Sequence, residues 1–244
     1  MTMLRVLTVD DSRTILAMLH HTLSNAGFEV LQAEDGKQGL DVLKTQQVDV
    51  VITDINMPVM DGYALARALR ARDSAVPILA ITATALASER ERCRAAGISD
   101  LLLKPMNLDT LARALEPYLV ASAPAGPREG GRVAPQAGDA DPPPMVLPDA
   151  LRRTFVTSTL DDLQRIAQAR LAEDHDGLLD RLHAVKGVLM MLGHRALGTR
   201  FGVMEGQLRD GVAVDGVALD AALSDLRALV DQHAAQLPPT AQDS

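Results

Sequence analysis

Three aspartates, a threonine and a lysine close four apolar runs in the first 105 residues. Asp10 and Asp11 follow Leu4-Arg5-Val6-Leu7-Thr8-Val9, and Asp54 ends a run that begins at Val48 and is broken only by Asp49. Thr82 ends Pro77-Ile78-Leu79-Ala80-Ile81, and Lys104 follows Leu101-Leu102-Leu103. Runs of this kind read as strands buried on both faces of a parallel sheet. All five polar residues then arrive at the carboxyl edge of the sheet, where open α/β folds place their chemistry. Three carboxylates at one edge repel one another unless a cation joins them, and an all-oxygen donor set suits a hard ion such as Mg²⁺. A cation with open positions, an ammonium and a hydroxyl together describe a phosphoryl-transfer pocket, where catalysis is positioning and charge stabilisation. No glycine-rich loop ending in Lys-Ser/Thr accompanies it, so the pocket is not built for a nucleotide. A lone aspartate after a strand is usually a helix cap or a solvated loop acid; convergence with the other four sets Asp54 apart.

A second group with chemical potential lies in the other half of the chain. Leu178, Leu182, Val185, Leu189 and Leu192 form an apolar helical stripe. At about 100° per residue, His183 falls roughly 140° from the centre of that stripe, a position expected to be exposed. Lys186 and Gly187 are its neighbours at i+3 and i+4, and Met190 lies at i+7. Glycine inside a helix costs up to about 1 kcal/mol relative to alanine. Here it leaves open space one turn from an imidazole, while Lys186 offers positive charge to an incoming phosphoryl group. The chain has only four lysines against twenty arginines, and two of the four are Lys104 and Lys186. A compact ammonium fits where a guanidinium fork would crowd. His20, His21, His175, His194 and His233 have no such setting and read as structural.

The elements that must position these groups follow from hydrophobic periodicity. Strand patterns at 4–9, 28–33, 48–54, 77–82 and 101–103 alternate with helical patterns closed by Gly27, Gly97 and other turn residues. Five alternations predict an α/β unit, a parallel sheet with helices on both faces. Residues 121–144, with Ala-Pro-Ala-Gly-Pro, Gly-Gly and Asp-Pro-Pro-Pro, cannot bury a core and read as a linker. Four helical patterns follow, Pro148–Glu173, His175–Leu192, His194–Asp210 and Asp215–Leu237, which suggest an up-down four-helix bundle. Residues 238–244 read as a disordered tail.

Composition narrows the function classes. The net charge of −8 is spread over both halves, so neither carries the basic footprint of a nucleic-acid binder. Cys93 is the one cysteine, which excludes an internal disulfide and fits a reducing compartment. No stretch reaches the roughly 18 apolar residues of a membrane span. A cytoplasmic protein without direct membrane insertion is expected. Aromatic residues make up only 2%, so the cores must be aliphatic.

Residues 1–120 resemble a response-regulator receiver domain, through Asp10-Asp11, Asp54, Met57-Pro58, Asp61-Gly62, Thr82 and Lys104-Pro105. The resemblance implies a flavodoxin-like five-stranded fold in which Asp54 is the phosphoacceptor. It further implies Mg²⁺ held by Asp10, Asp11, Asp54 and the backbone carbonyl of Asn56, with Thr82 and Lys104 contacting the phosphoryl group. Mg²⁺-dependent self-phosphorylation and autodephosphorylation at Asp54 follow from the same likeness. Leu101 departs from the pattern, since an aromatic residue usually stands three positions before the lysine. Residues 145–237 resemble a histidine phosphotransfer (HPt) domain, through Leu182-His183-Ala184-Val185-Lys186-Gly187, Leu192-Gly193 and the segment from Met204-Glu205 to Gly211. That likeness implies phosphate carried on His183. A kinase dimerisation domain would favour an acidic residue after the histidine, where Ala184 stands here. The two likenesses together imply a phosphorelay intermediate, with an upstream histidine kinase and a downstream response-regulator receiver as partners. Two other readings are a phosphate sink running from an external receiver through His183 to Asp54, and a binding module switched by phosphorylation. Phosphate on His183 separates the relay readings from the last.

Overall fold

The computed structural model describes residues 3–82, 86–104, 108–119 and 147–238. The expected linker at 121–144, Pro105, and the expected tail from residue 239 lie outside the described residues. The chain divides into two compact units, an α/β unit and a helical unit.

The α/β unit holds five strands, β1 (Arg5–Val9), β2 (Glu29–Ala33), β3 (Val50–Asp54), β4 (Ile78–Thr82) and β5 (Asp100–Leu103). They alternate with α1 (Arg13–Asn25), α2 (Gly36–Thr45), α3 (Gly62–Arg70), α4 (Ala87–Ala96) and α5 (Leu108–Leu119). The sheet is wholly parallel in the order β2-β1-β3-β4-β5. This order changes direction between β1 and β3, the crevice where such sheets bind their ligands. All five residues of β3 and all five of β4 are buried, as expected of central strands covered on both faces. The core is aliphatic, with Leu7, Val51, Leu65, Ile78 and Ala80 at its centre.

Local chemistry sets the loops at the carboxyl edge. Asp35 and Asp61 cap α2 and α3, accepting from the backbone N–H of Gln38 and Ala64. A Cβ on Gly62 would stand 2.4 Å from the carbonyl oxygen of Asp54, so only glycine lets the chain fold back this closely after β3. The β3–α3 loop is pinned further by Gly62 N–H to Ile55 O (2.9 Å) and Gly36 N–H to Met60 O (3.1 Å). Between these anchors Val59 has φ +68°, and Met60 N–H donates to Pro58 O at 2.7 Å across it. A three-residue turn of this hand is rare, and it is strained for a β-branched residue, by on the order of 1–3 kcal/mol.

The helical unit comprises α6 (Asp149–Leu171), α7 (His175–Met191), α8 (Arg195–Arg209) and α9 (Gly216–Ala235). Helix α7 packs against α6 and α8, and α9 packs against α6 and α8, which closes a four-helix bundle. Its core contains Ile166, Leu182, Leu189, Phe201, Ala222 and Leu226, all fully buried. Asp174 and Asp215 cap α7 and α9. Because α7 has neighbours on two sides, its buried surface is wider than the single stripe expected, and also includes Ala184, Gly187 and Val188. No helix among the described residues is long and apolar enough to cross a membrane.

Candidate functional site

The parallel register carries Asp54, Thr82 and Lys104 to one edge. Asp54 is the last residue of β3 and Thr82 the last of β4, and Asp54 pairs in register with Ile81. Lys104 follows β5 directly, and its backbone N–H donates to Thr82 O at 2.8 Å. Its side chain then turns back across the edge, and Nζ donates to Asp54 Oδ1 at 2.6 Å. The same ammonium lies 3.9 Å from Asp10 Oδ2. Asp54 Oδ2 accepts from the backbone N–H of Asn56 at 2.9 Å, which fixes the carboxylate plane. Asp10, Asp54, Thr82 and Lys104 are all buried. Burial works against the Lys104 ammonium, but the carboxylates of Asp54, Asp10 and Asp11 outweigh it and hold its pKa above the usual lysine range.

The donor chemistry fits a hard divalent cation. Three carboxylates, Asp10, Asp11 and Asp54, share this edge with the ammonium of Lys104. Among the described residues no three acids close to metal-ligating spacing, and the lysine ammonium engages Asp54 and Asp10 instead. Leu101 is partly buried and packs against the sheet core. On the neighbouring side, the Tyr63 hydroxyl donates to Glu89 and the Arg92 guanidinium lies 4.6 Å over the Tyr63 ring, tying α3 to α4.

In the helical unit His183 does not stand out in solvent as its position in the periodicity suggested; its side chain is 13% exposed. Its Nδ1 lies 2.8 Å from Glu205 Oε1 on α8. Lys186 Nζ donates to Glu205 Oε2 at 2.9 Å, and Arg209 donates to Oε1 at 2.7 Å. Lys186 is thus tied to a carboxylate beside the imidazole. Burial pushes the Glu205 carboxyl up, but hydrogen bonds and charge from His183 and Lys186 overturn this and lower its pKa to about 2. Glu205 is therefore an anion at neutral pH and can only accept, so Nδ1 of His183 carries the proton of that bond. In the neutral ring the lone pair then belongs to Nε2. A lysine stem also needs room along α8, and a Cβ on Gly202 would meet Lys186 Cδ and Cε at 3.4 Å.

Sequence reasoning named Glu205 only within the segment that resembles the HPt family and gave it no role at the histidine. Its signal was available: it stands four residues after Phe201 and next to Met204, a carboxylate on an apolar helix face, and it is 2% exposed. The other described histidines have different settings. His21 contacts Asn25, His175 contacts Glu173 O, and His194 and His233 form an edge-to-face pair beside Phe155.

Two domains of bacterial-type phosphorelay signalling account for this pairing of a strand-end aspartate with a helix-borne histidine. Residues 6–116 match the response regulator receiver domain family and residues 150–236 match the Hpt domain family, so the chain carries a receiver domain followed by an Hpt domain. Virulence sensor protein BvgS of Bordetella bronchiseptica is 31% identical over 266 residues, covering 97% of this chain and 22% of that protein. Sensor histidine kinase RcsC of Salmonella typhimurium is 38% identical over 113 residues, 46% of this chain and 12% of that protein. Among solved structures, chemotaxis response regulator CheY4 of Vibrio cholerae is 39% identical and covers 48% of this chain and 99% of its own, with a TM-score of 0.46. The chain spans less than a quarter of the length of these two sensor proteins.

Proposed function

We propose that this chain is an intermediate of a phosphorelay, taking phosphate on Asp54 and passing it through His183 to the aspartate of a downstream receiver. The observation that supports this most is the Glu205–His183 pair. It fixes the imidazole tautomer, so that Nε2 is the nucleophile, and supplies the negative charge that a phosphorylated, cationic ring needs. In the transfer the Nε2 lone pair attacks phosphorus. The bond from phosphorus to the Asp54 oxygen breaks, and its electron pair returns to the carboxylate. The Nδ1 proton stays in its hydrogen bond to Glu205 throughout.

On the receiver side, Lys104 balances the phosphoryl charge and the Thr82 hydroxyl donates to a phosphoryl oxygen. Asp10, Asp11, Asp54 and the carbonyl of Asn56 would hold Mg²⁺, which supplies charge neutralisation at the phosphoryl oxygens. A histidine kinase is the donor class.

The test is the fate of label from acetyl phosphate. His183→Gln should leave a base-labile acyl phosphate on Asp54 and stop the appearance of base-stable phosphate and all onward transfer. Onward transfer at the wild-type rate by His183→Gln would contradict the proposal.

A further inference from the structure

Helix α4 is written Ala-Ser-Glu-Arg-Glu-Arg-Cys-Arg-Ala-Ala and buries only Cys93 and Ala96, both in its second half. Apolar packing therefore secures its end and not its start, and Leu86 at the N-cap offers no side-chain oxygen to the first turn. That turn is tied instead to Tyr63, the second residue of α3, which is 4% exposed. The Tyr63 hydroxyl donates to Glu89. The Arg92 guanidinium covers the ring at 4.6 Å and lies 3.6 Å from the same carboxylate. Cys93 Sγ stands 3.9 Å from the hydroxyl oxygen. Glu89, Arg92 and Cys93 lie at i, i+3 and i+4, so one face of α4 closes around the phenol. The Glu89 carboxylate is only 18% exposed, and a hydrogen bond to an anion is stronger there than in open water. Tyr63 also adjoins the phosphoacceptor loop, since it follows Gly62, whose N–H holds Ile55 O. At its other end the connection reaches Thr82, because α4 is the helix that follows β4.

We propose that Tyr63 and Glu89 form a latch that keeps α4 against α3 whether or not Asp54 is phosphorylated, so that this receiver hands on phosphate without moving α4. The second half of this proposal rests on the reading that Asp54 takes phosphate. A phosphoryl group on Asp54 draws on the Thr82 hydroxyl, and a displacement at the end of β4 passes to the helix that follows. Strands β3 and β4 are buried along their whole length, so the displacement falls on α4 and not on the sheet. The latch opposes it. Sliding α4 by the length of a hydrogen bond leaves a phenol and a carboxylate unpaired in a largely buried place, which costs more than the bond returns in water. On the neighbouring strand, Leu101 packs against the sheet core and has no polar atom with which to reward a shift of Thr82.

The experiment is amide hydrogen exchange on the full-length His183→Gln chain, with and without acetyl phosphate and Mg²⁺, and with label on Asp54 measured in parallel. Peptides of α4 in this parent chain should exchange within about twofold of the same rate in the two states. Tyr63→Phe keeps the ring and removes the hydroxyl. Without acetyl phosphate its α4 should exchange about tenfold faster or more while β3 is unchanged, and labelling of Asp54 should then alter α4 further. Glu89→Ala should match it, and the double variant should go no further, because both changes remove one interaction. Exchange of α4 in Tyr63→Phe at the parent rate would overturn the latch. So would equal acceleration of α4 and β3, which would make Tyr63 a general stabiliser of the unit. A change in parent α4 beyond twofold on labelling would show that the helix moves despite the latch. If Asp54 takes no label, the phosphoacceptor reading falls and the second half of the proposal with it, while the comparison without acetyl phosphate still decides the latch.

Discussion

Asp54 and His183 are each held by a charged partner, but the two arrangements are built differently. Asp54 ends a buried strand and is met by a lysine fifty residues away at the end of another strand. His183 lies in the middle of a helix and is met by a glutamate on the next helix, which also gathers Lys186 and Arg209. In the first site the reacting group is a carboxylate, one of three acids grouped around a lysine ammonium. In the second the reacting group is an imidazole, and its carboxylate partner also accepts from Lys186 and Arg209. Under the proposed relay these arrangements divide the labour: the acid-rich edge takes phosphate from a small donor with Mg²⁺, and the bundle site takes it from a receiver aspartate.

The largest expected effect breaks the receiver side of that contrast. Asp11→Ala should reduce labelling of Asp54 by acetyl phosphate by about a hundredfold or more, because the charge at this edge can no longer be closed by Mg²⁺. Excess EDTA should do the same to wild type. Rapid labelling under either condition, followed with radiolabelled donor, would show that the acids are structural.

On the bundle side, Glu205→Gln should slow transfer to His183 by about tenfold to a hundredfold while leaving Asp54 labelling unchanged. It also leaves Lys186 and Arg209 without their carboxylate, and should cost on the order of 1–3 kcal/mol in urea unfolding of the bundle. This loss has a pH signature. The folded pKa of Glu205 is near 2 against an ordinary 4.5, so its contribution is complete above pH 4.5 and disappears as pH falls towards 2. The stability difference between wild type and Glu205→Gln should therefore shrink across that window. A constant difference would contradict the assigned ion pair.

A smaller effect is expected from His194 and His233. Burial holds both imidazoles below the usual histidine value, aided at His233 by the charges of His194 and Arg152. Neutral in the folded bundle, they cost nothing above pH 6.5 and destabilise it as pH falls below that value, where the unfolded chain binds protons more readily. His233→Phe, which keeps the ring packing on Phe155, should flatten the fall in melting temperature between pH 7 and pH 5. An unchanged slope would place the titration elsewhere.

Much of this was legible in the sequence for one physical reason: parallel strands buried on both faces are written as continuous apolar runs. Asp54, Thr82 and Lys104 were found because each ends such a run. Bundle helices were equally legible, through aliphatic periodicity and capping residues such as Asp174 and Asp215. Glu205 was not, because its partners lie on another helix and at no fixed spacing from it. The depth of His183 was misjudged for a related reason, since one stripe cannot describe a helix with two packed neighbours. Nor was the turn at Val59 legible. Asp61-Gly62 offered residues suited to a positive φ, yet the structure gives that conformation to a valine.

The account stands most directly on where phosphate first arrives. Full-length Asp54→Asn, incubated with acetyl phosphate and Mg²⁺, separates the two sites in a single measurement of label chemistry. A receiver that must be charged first predicts no label above background, while the same chain still accepts phosphate on His183 from a phosphorylated His183→Gln chain. Base-stable, acid-labile phosphate on Asp54→Asn from acetyl phosphate alone would show that His183 takes phosphate independently, and the order of transfer proposed here would be wrong.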